Sequence, residues 1–110
     1  MQMHQIRYFL ALCEERSFTL AARRSGVSQP SLTNAIGALE RELGGTLFQR
    51  RPAIALTALG HAMRPYLQQI AQAADQARET AQALVDVGPA MADIAPLHQS
   101  ARSPQCPSAG

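Results

Sequence analysis

The sequence predicts a mainly α-helical fold, in which three short helices and a small β-hairpin precede one long helix. Apolar residues recur at helical spacing as far as Leu43, and the spacing changes towards two after Gly44 and Gly45. From Met63 to Leu84, apolar or small residues repeat in alternating steps of four and three, the pattern of a heptad seam. These three observations predict the fold class.

The first predicted helix runs from Met3 to Glu15. Its apolar residues fall on one side, where they can face a core: Ile6, Phe9, Leu10 and Cys13. A second helix begins after a cap at Ser17 or Thr19 and ends near Arg24. The sequence leaves open which of the two hydroxyl residues is the cap.

The third predicted helix runs from about Gln29 to Leu43 and follows a tight turn. Ser28 is a good N-cap, and Pro30 lies in the first turn, where a missing N–H costs little. Small or apolar residues stand where two helices would cross and turn: Ala22, Gly26 and Leu32. Residues 17–44 therefore predict a helix-turn-helix.

The side of the third helix opposite its apolar stripe carries short, neutral polar groups: Gln29, Ser31, Thr33 and Asn34. Such groups near a helix N-terminus can hydrogen-bond to base edges in the major groove of DNA. The pattern favours a helix that reads DNA. An ordinary helical hairpin would show the same spacing, so spacing alone leaves both interpretations open.

The predicted hairpin, or wing, follows the third helix. Leu47 and Phe48 lie on its first side, and Ile54 and Leu56 lie on its second. Its tip carries the adjacent pair Arg50 and Arg51. Arginine is common on exposed loops, but beside a recognition helix it can reach a neighbouring minor groove or its phosphates.

Thr57 is placed to cap a fourth helix that covers about residues 58–87. Its heptad seam predicts pairing with a second helix, in a dimer, through Met63, Leu67, Ile70, Ala74, Ala77, Ala81 and Leu84. The alternative is one surface helix folded back on its own domain. Pro65 removes one helical hydrogen bond and should bend the helix.

The remaining segment, residues 88–110, holds four of the seven prolines and has no lasting period, so we predict a disordered tail. The predicted organisation is a DNA-binding domain at 1–57, a linker and dimerisation helix at 58–87 and this tail. With 110 residues, the chain has room for one compact domain.

Composition argues against several classes of protein. Cys13 and Cys106 are too far apart to suggest a metal site or a disulfide framework, and His4, His61 and His98 are scattered. The chain shows no catalytic constellation or glycine-rich phosphate loop, so we expect no enzyme, no metal and no cofactor. It also shows no secretory leader and no apolar run long enough for a membrane span, so we expect a cytoplasmic protein.

Five motifs together resemble the N-terminal winged helix-turn-helix of LysR-type transcriptional regulators. They are the helix-turn-helix core, SQPSLT, ALERELG, LFQR and LTALG. The resemblance covers residues 3–87 and implies double-stranded DNA as partner and dimerisation through the linker helix. It assigns DNA contacts to Gln29, Pro30, Ser31, Thr33, Asn34, Arg50 and Arg51.

The chain departs from the family pattern at several places. Asn34 stands where many members have arginine, Gly37 stands where many have a basic residue, and the wing is a residue shorter. Asparagine can pair with adenine where arginine favours guanine, so the operator preference should differ. The effector-binding lobes of the family would not fit in 110 residues, so we expect no small-molecule effector.

Two functions follow from this reading. The first is sequence-specific DNA binding and transcriptional regulation as a homodimer. The second is an interaction protein whose linker helix pairs with a full-length LysR-type regulator to form a heterodimer.

Overall fold

Four α-helices and one two-stranded antiparallel hairpin are formed by residues 1–87, the part of the chain that the computed structural model describes. In chain order they are α1 (Met3–Glu15), α2 (Phe18–Ser25), α3 (Gln29–Leu43), β1 (Phe48–Gln49), β2 (Ala55–Leu56) and α4 (Ala58–Asp86). The predicted fold class is confirmed, with helix bounds within a residue or two of those expected. The predicted disordered tail lies outside the described residues.

The cap of α2 is Ser17, which decides between the two candidates. Its hydroxyl oxygen accepts a hydrogen bond from the Leu20 N–H at 3.1 Å, and so satisfies one free donor of the first turn. The hydroxyl of Thr19 instead donates to the side-chain oxygen of Gln29 at 3.1 Å. Thr19 therefore links α2 to the start of α3.

The turn between α2 and α3 depends on Gly26, whose φ of 73° lies in the left-handed region. In this conformation the Gly26 N–H bonds back to Arg23, and the Val27 N–H donates to the Ala22 carbonyl at 3.0 Å. Ser28 then caps α3 by accepting from the Ser31 N–H at 3.2 Å. These local bonds fix the direction in which α3 leaves the turn.

The core lies where α1, α2 and α3 pack together. Its largest fully buried side chains come from α1, α3, the segment before the hairpin and α4: Ile6, Phe9, Leu12, Leu32, Ile36, Leu39, Leu47 and Leu67. The apolar stripe expected on α3 is therefore the stripe that is buried. Its burial turns the opposite side of α3 outwards.

The hairpin is tied to the helices at its base. Phe48 packs against Phe9 with ring centroids 5.4 Å apart and ring planes tilted by 51°, and β1 pairs with β2 so that Phe48 faces Leu56. The Thr57 hydroxyl donates to the Thr46 carbonyl at 2.6 Å and accepts from the Gly60 N–H at 3.0 Å. Thr57 therefore caps α4, as predicted, and also closes the hairpin.

A partly buried hydrogen bond holds the segment before β1. The Leu47 N–H donates to the Glu40 carboxylate of α3 at 2.7 Å. We expect Glu40→Ala to lower the free energy of unfolding by about 1–3 kcal/mol, because it leaves this N–H without its charged acceptor. Denaturant unfolding followed by circular dichroism measures the change.

Glu42→Ala is the matched control for that substitution. Glu42 lies on the same helix but is exposed, and its one ion pair within residues 1–87 is with the N-terminal ammonium of Met1, at 2.7 Å. Its removal should change the free energy of unfolding by less than about 1 kcal/mol, since exposed ion pairs contribute little. Equal losses in the two variants would show that the Glu40 bond does not anchor the hairpin.

Residues Met1–Ala73 form one compact unit, which includes the first half of α4. Leu67 and Ala71 of that half are buried in the core. The described residues beyond it, 75–87, are all exposed. The functional boundary predicted at residue 57 and the bend predicted at Pro65 both stay predictions. Within residues 1–87, no helix is both long enough and apolar enough to cross a membrane.

Candidate nucleic-acid interface

The polar side of α3 is exposed at its N-terminal end. Gln29, Pro30, Ser31 and Asn34 are exposed, whereas Thr33 is half-buried. The buried stripe on the other side of the helix is formed by Leu32, Ala35, Ile36 and Leu39. The two sides of α3 are therefore divided as the sequence predicts, with the hydrogen-bonding groups outside.

Hydrogen bonds order part of this polar side. The Gln29 side-chain oxygen accepts from Thr19 at 3.1 Å, and the Ser28 hydroxyl donates to the Ser31 hydroxyl at 3.0 Å. Within residues 1–87, the Asn34 side chain makes no hydrogen bond. Its amide therefore has two donors and one acceptor free for a ligand.

Arg50 is placed beside the start of α3. Its guanidinium carbon lies 4.9 Å from the centroid of the Phe18 ring, within the range of a cation–π interaction. A shallow hollow of about 190 Å³ is lined by Phe18, Gln29, Thr33 and Arg50. Arg51, the other arginine of the wing, is exposed. The structure thus brings Arg50 together with two of the residues assigned to α3.

Phe18 and Thr19 are the two members of this surface that sequence reasoning did not assign to it. Phe18 stands beside the cap of α2, where an aromatic residue is expected to pack against the core, and it does pack there. Its second contact, with Arg50, joins residues thirty-two positions apart. Only the path of the hairpin brings them together, so no local pattern signals the contact.

Not every arginine near α3 is available to an anion. Arg24 pairs with the carboxylates of Glu14 and Glu15, at 2.5 and 3.1 Å. Hydrogen bonds to Glu14 and then Glu15 raise the pKa of Arg24 above its usual value. Arg50 and Arg51, in contrast, have no ion pair within residues 1–87. Arg50 therefore places an unpaired cationic charge of the wing beside the start of α3.

The residues of the predicted heptad seam fall into two groups. Met63 and Leu67 pack against the core of their own chain, and Leu67 is only 1% exposed. Ile70 and Leu84 are 40% and 43% exposed, which is high for apolar side chains. Ala77 and Ala81 are also exposed, and Ala74 is half-buried. The part of the seam that is open to a second helix therefore begins at Ile70.

Comparison with known proteins agrees with this geometry. Residues 3–61 match the family described as "Bacterial regulatory helix-turn-helix protein, lysR family". The chain is 40% identical over 87 residues to the HTH-type transcriptional regulator IlvR of Caulobacter vibrioides, covering 78% of this chain and 29% of IlvR. It is 39% identical over 85 residues to the regulator BudR of Klebsiella aerogenes, covering 76% and 59%. The chain thus spans less than two thirds of either relative.

Solved structures give the same result. A crystal structure of BenM_DBD in complex with catB site 1 DNA is 34% identical, with a TM-score of 0.72, and the match covers 77% of this chain and 97% of that one. A CbnR_DBD–DNA complex is 37% identical, with a TM-score of 0.69, over 76% and 97%. By sequence and by fold, the chain belongs to the lysR family of bacterial regulatory helix-turn-helix proteins.

Proposed function

We propose that this chain binds double-stranded DNA sequence-specifically and regulates transcription as a homodimer. The observation that carries the proposal is the exposed polar side of α3, where Gln29, Ser31 and Asn34 stand outside a buried stripe. In this arrangement the N-terminal half of α3 enters the major groove, and the wing lies at the minor groove or the backbone. Pro30 and Thr33 complete the surface that meets the bases.

The similar solved structures support DNA as the ligand. The BenM_DBD and CbnR_DBD chains are bound to DNA, and this chain matches nearly all of each. Their identities, 34% and 37%, support a shared mode of binding. The preferred DNA sequence is not carried over from these two proteins. The Asn34 side-chain amide can form two hydrogen bonds with adenine, at N6 and N7, and so favours adenine.

Salt dependence tests the proposal. In a fluorescence titration of the full chain against a promoter fragment, we expect affinity to fall by about 10³-fold between roughly 50 and 200 mM salt. The reason is that cations such as Arg50 and Arg51 release counterions from the phosphates that they neutralise. An affinity that does not change over this range would contradict binding to the duplex backbone.

Asn34→Ala and Arg51→Ala separate base reading from backbone contact. We expect Asn34→Ala to relax the preference at one base pair of each half-site, at a cost of about 1–3 kcal/mol on the preferred sequence. Arg51→Ala should weaken binding to all sequences alike and reduce the salt slope by about one. Competition titrations with singly substituted duplexes measure both effects. The same behaviour in both variants would contradict this division of roles.

Phe18 is proposed to hold Arg50 in place. Arg50→Ala should weaken DNA binding by about tenfold, and Phe18→Leu by a few-fold, because leucine keeps the packing and removes the ring face. In the Arg50→Ala background, Phe18→Leu should cause no further loss of DNA affinity. In the chain that keeps Arg50, Phe18→Tyr should leave the DNA affinity unchanged, because tyrosine keeps the ring face. Equal effects of Phe18→Leu in both backgrounds would show that Phe18 acts only through packing.

The homodimer rests on the exposed part of the seam, from Ile70 to Leu84, which a second copy of α4 would cover. The same surface could receive the linker helix of a longer relative, and the chain spans 29% of IlvR. Co-purification distinguishes the homodimer from the heterodimer. A longer regulator that co-purifies with this chain in equal amount supports the heterodimer, and a dimer that contains this chain alone supports the homodimer.

A further inference from the structure

A second feature lies away from α3, where the end of α1, the base of the hairpin and the first turns of α4 meet. They line a partly open cavity of about 130 Å³, all of it within residues 1–73. Its polar lining is formed by Arg16, His61 and Arg64. Its apolar lining is formed by Leu12, Cys13, Phe48, Ile54, Ala55 and Leu56.

The charges of the residues that line this cavity are not balanced, and the nearby carboxylate of Glu14 is paired with Arg24. Arg16 and Arg64 both line it, and neither has an ion pair within residues 1–87. None of the nine residues that line it is acidic. Two like charges that face one small space repel each other, most strongly where water is partly excluded. The cavity therefore favours a bound anion.

Arg64 shows the imbalance most clearly. The side chain is half-buried, and its Nε is a buried donor with no hydrogen-bond partner among the described residues. Buried polar groups in folded proteins are nearly always paired, because leaving one unpaired is costly. A ligand with an acceptor oxygen would satisfy it.

Cys13 does not supply the missing negative charge. Burial raises the pKa of its thiol to about 11; the nearby charge of Arg64 lowers it in part, and the charge of Glu14 raises it. At neutral pH the thiol is therefore protonated and presents a small apolar surface to the cavity.

We infer that this cavity binds a small organic carboxylate. Guanidinium groups pair with planar carboxylates through two parallel hydrogen bonds, and His61 can add a third donor. The apolar lining from Leu12, Phe48 and Ile54 suits a short hydrocarbon body, and about 130 Å³ has room for only a few heavy atoms. The inference does not depend on DNA binding, and the ligand would bridge α1, the hairpin and α4.

Butyrate is the probe that we would use. The full 110-residue chain, labelled with ¹⁵N, is titrated with sodium butyrate while sodium chloride is removed to keep the ionic strength constant. We expect saturable shifts of the amides of Cys13, Arg16, His61 and Arg64, with a dissociation constant in the millimolar range, as is usual for so small a ligand. Shifts that rise linearly without saturation would overturn the inference.

Two variants test the role of the arginines. Arg64→Met should weaken butyrate binding by about tenfold or more, since it keeps the length of the side chain and removes the charge. Arg16→Asn should also weaken it, and asparagine tolerates the left-handed φ of 53° at this position. Because Arg16 is exposed, this second variant should fold even if Arg64→Met does not.

Arg23→Met is the matched control, because Arg23 is exposed and does not line the cavity. Butyrate binding unchanged in both cavity variants, or weakened equally in Arg23→Met, would contradict the site. Saturable binding of inorganic phosphate without binding of butyrate would overturn the carboxylate assignment. Because no DNA is present, none of these outcomes affects the proposed function.

Discussion

Gly60→Ala is expected to lower the free energy of unfolding by about 3 kcal/mol, at the upper end of the usual cost of overpacking. Gly60 is buried in the first turn of α4. A Cβ atom added there would lie 2.2 Å from the carbonyl oxygen of Leu47 and 2.7 Å from Cδ2 of Leu56. The first neighbour is backbone that is itself bonded to the Thr57 N–H at 3.0 Å, so it cannot move alone.

Gly37→Ala provides the control within the same chain. Gly37 lies inside α3, and its added Cβ would meet only the guanidinium of Arg41, at 3.5 Å, which is ordinary contact. Because alanine favours a helix interior, this variant should be more stable by about 0.5–1 kcal/mol. Thermal and denaturant unfolding by circular dichroism measure both. Equal stability of Gly60→Ala and the unchanged chain would show that α4 does not pack this closely against the hairpin.

Ala81→Glu is expected to weaken binding to a two-half-site duplex by about 100-fold or more. Two copies of α4 that pair through the exposed seam would place this carboxylate in the interface with its symmetry mate, where burial and like charge both oppose pairing. Without the dimer, each DNA-binding domain binds one half-site alone. The affinity that is gained when two linked domains bind one duplex is then lost. The fold of the single chain should not change, because Ala81 is exposed.

Ala83→Glu makes the same change of charge and volume two residues away, on another side of α4, and Ala83 is also exposed. It should dimerise and bind like the unchanged chain. Sedimentation measures dimerisation, and titration on whole and half operators measures binding. Loss of both in Ala83→Glu, or retention of both in Ala81→Glu, would contradict dimerisation through this seam.

Much of this fold could be predicted because its determinants are local. The spacing of Leu32, Ile36 and Leu39 predicts which side of α3 is buried, and Gly26 predicts the turn because few other residues adopt its φ. Hydroxyl caps such as Ser28 predict where helices begin. Each signal lies within a few residues of the feature that it determines.

The features that could not be predicted depend on distant parts of the chain. Phe18 and Arg50 meet only because the hairpin returns to the start of α2. The heptad pattern runs unbroken through Leu67, yet Leu67 is buried in its own core, because periodicity does not tell which partner covers an apolar side. A sum of charges cannot show that Arg24 is paired with two glutamates.

The central claim is that the exposed polar side of α3 reads base pairs. Selection of binding sites from random duplexes, with sedimentation of the selected complex, tests it most directly. We expect an inverted repeat bound by two chains, and we expect Asn34→Ala to lose the preference at one position of each half-site. Selection of no motif, or of an unchanged motif by Asn34→Ala, would contradict the claim.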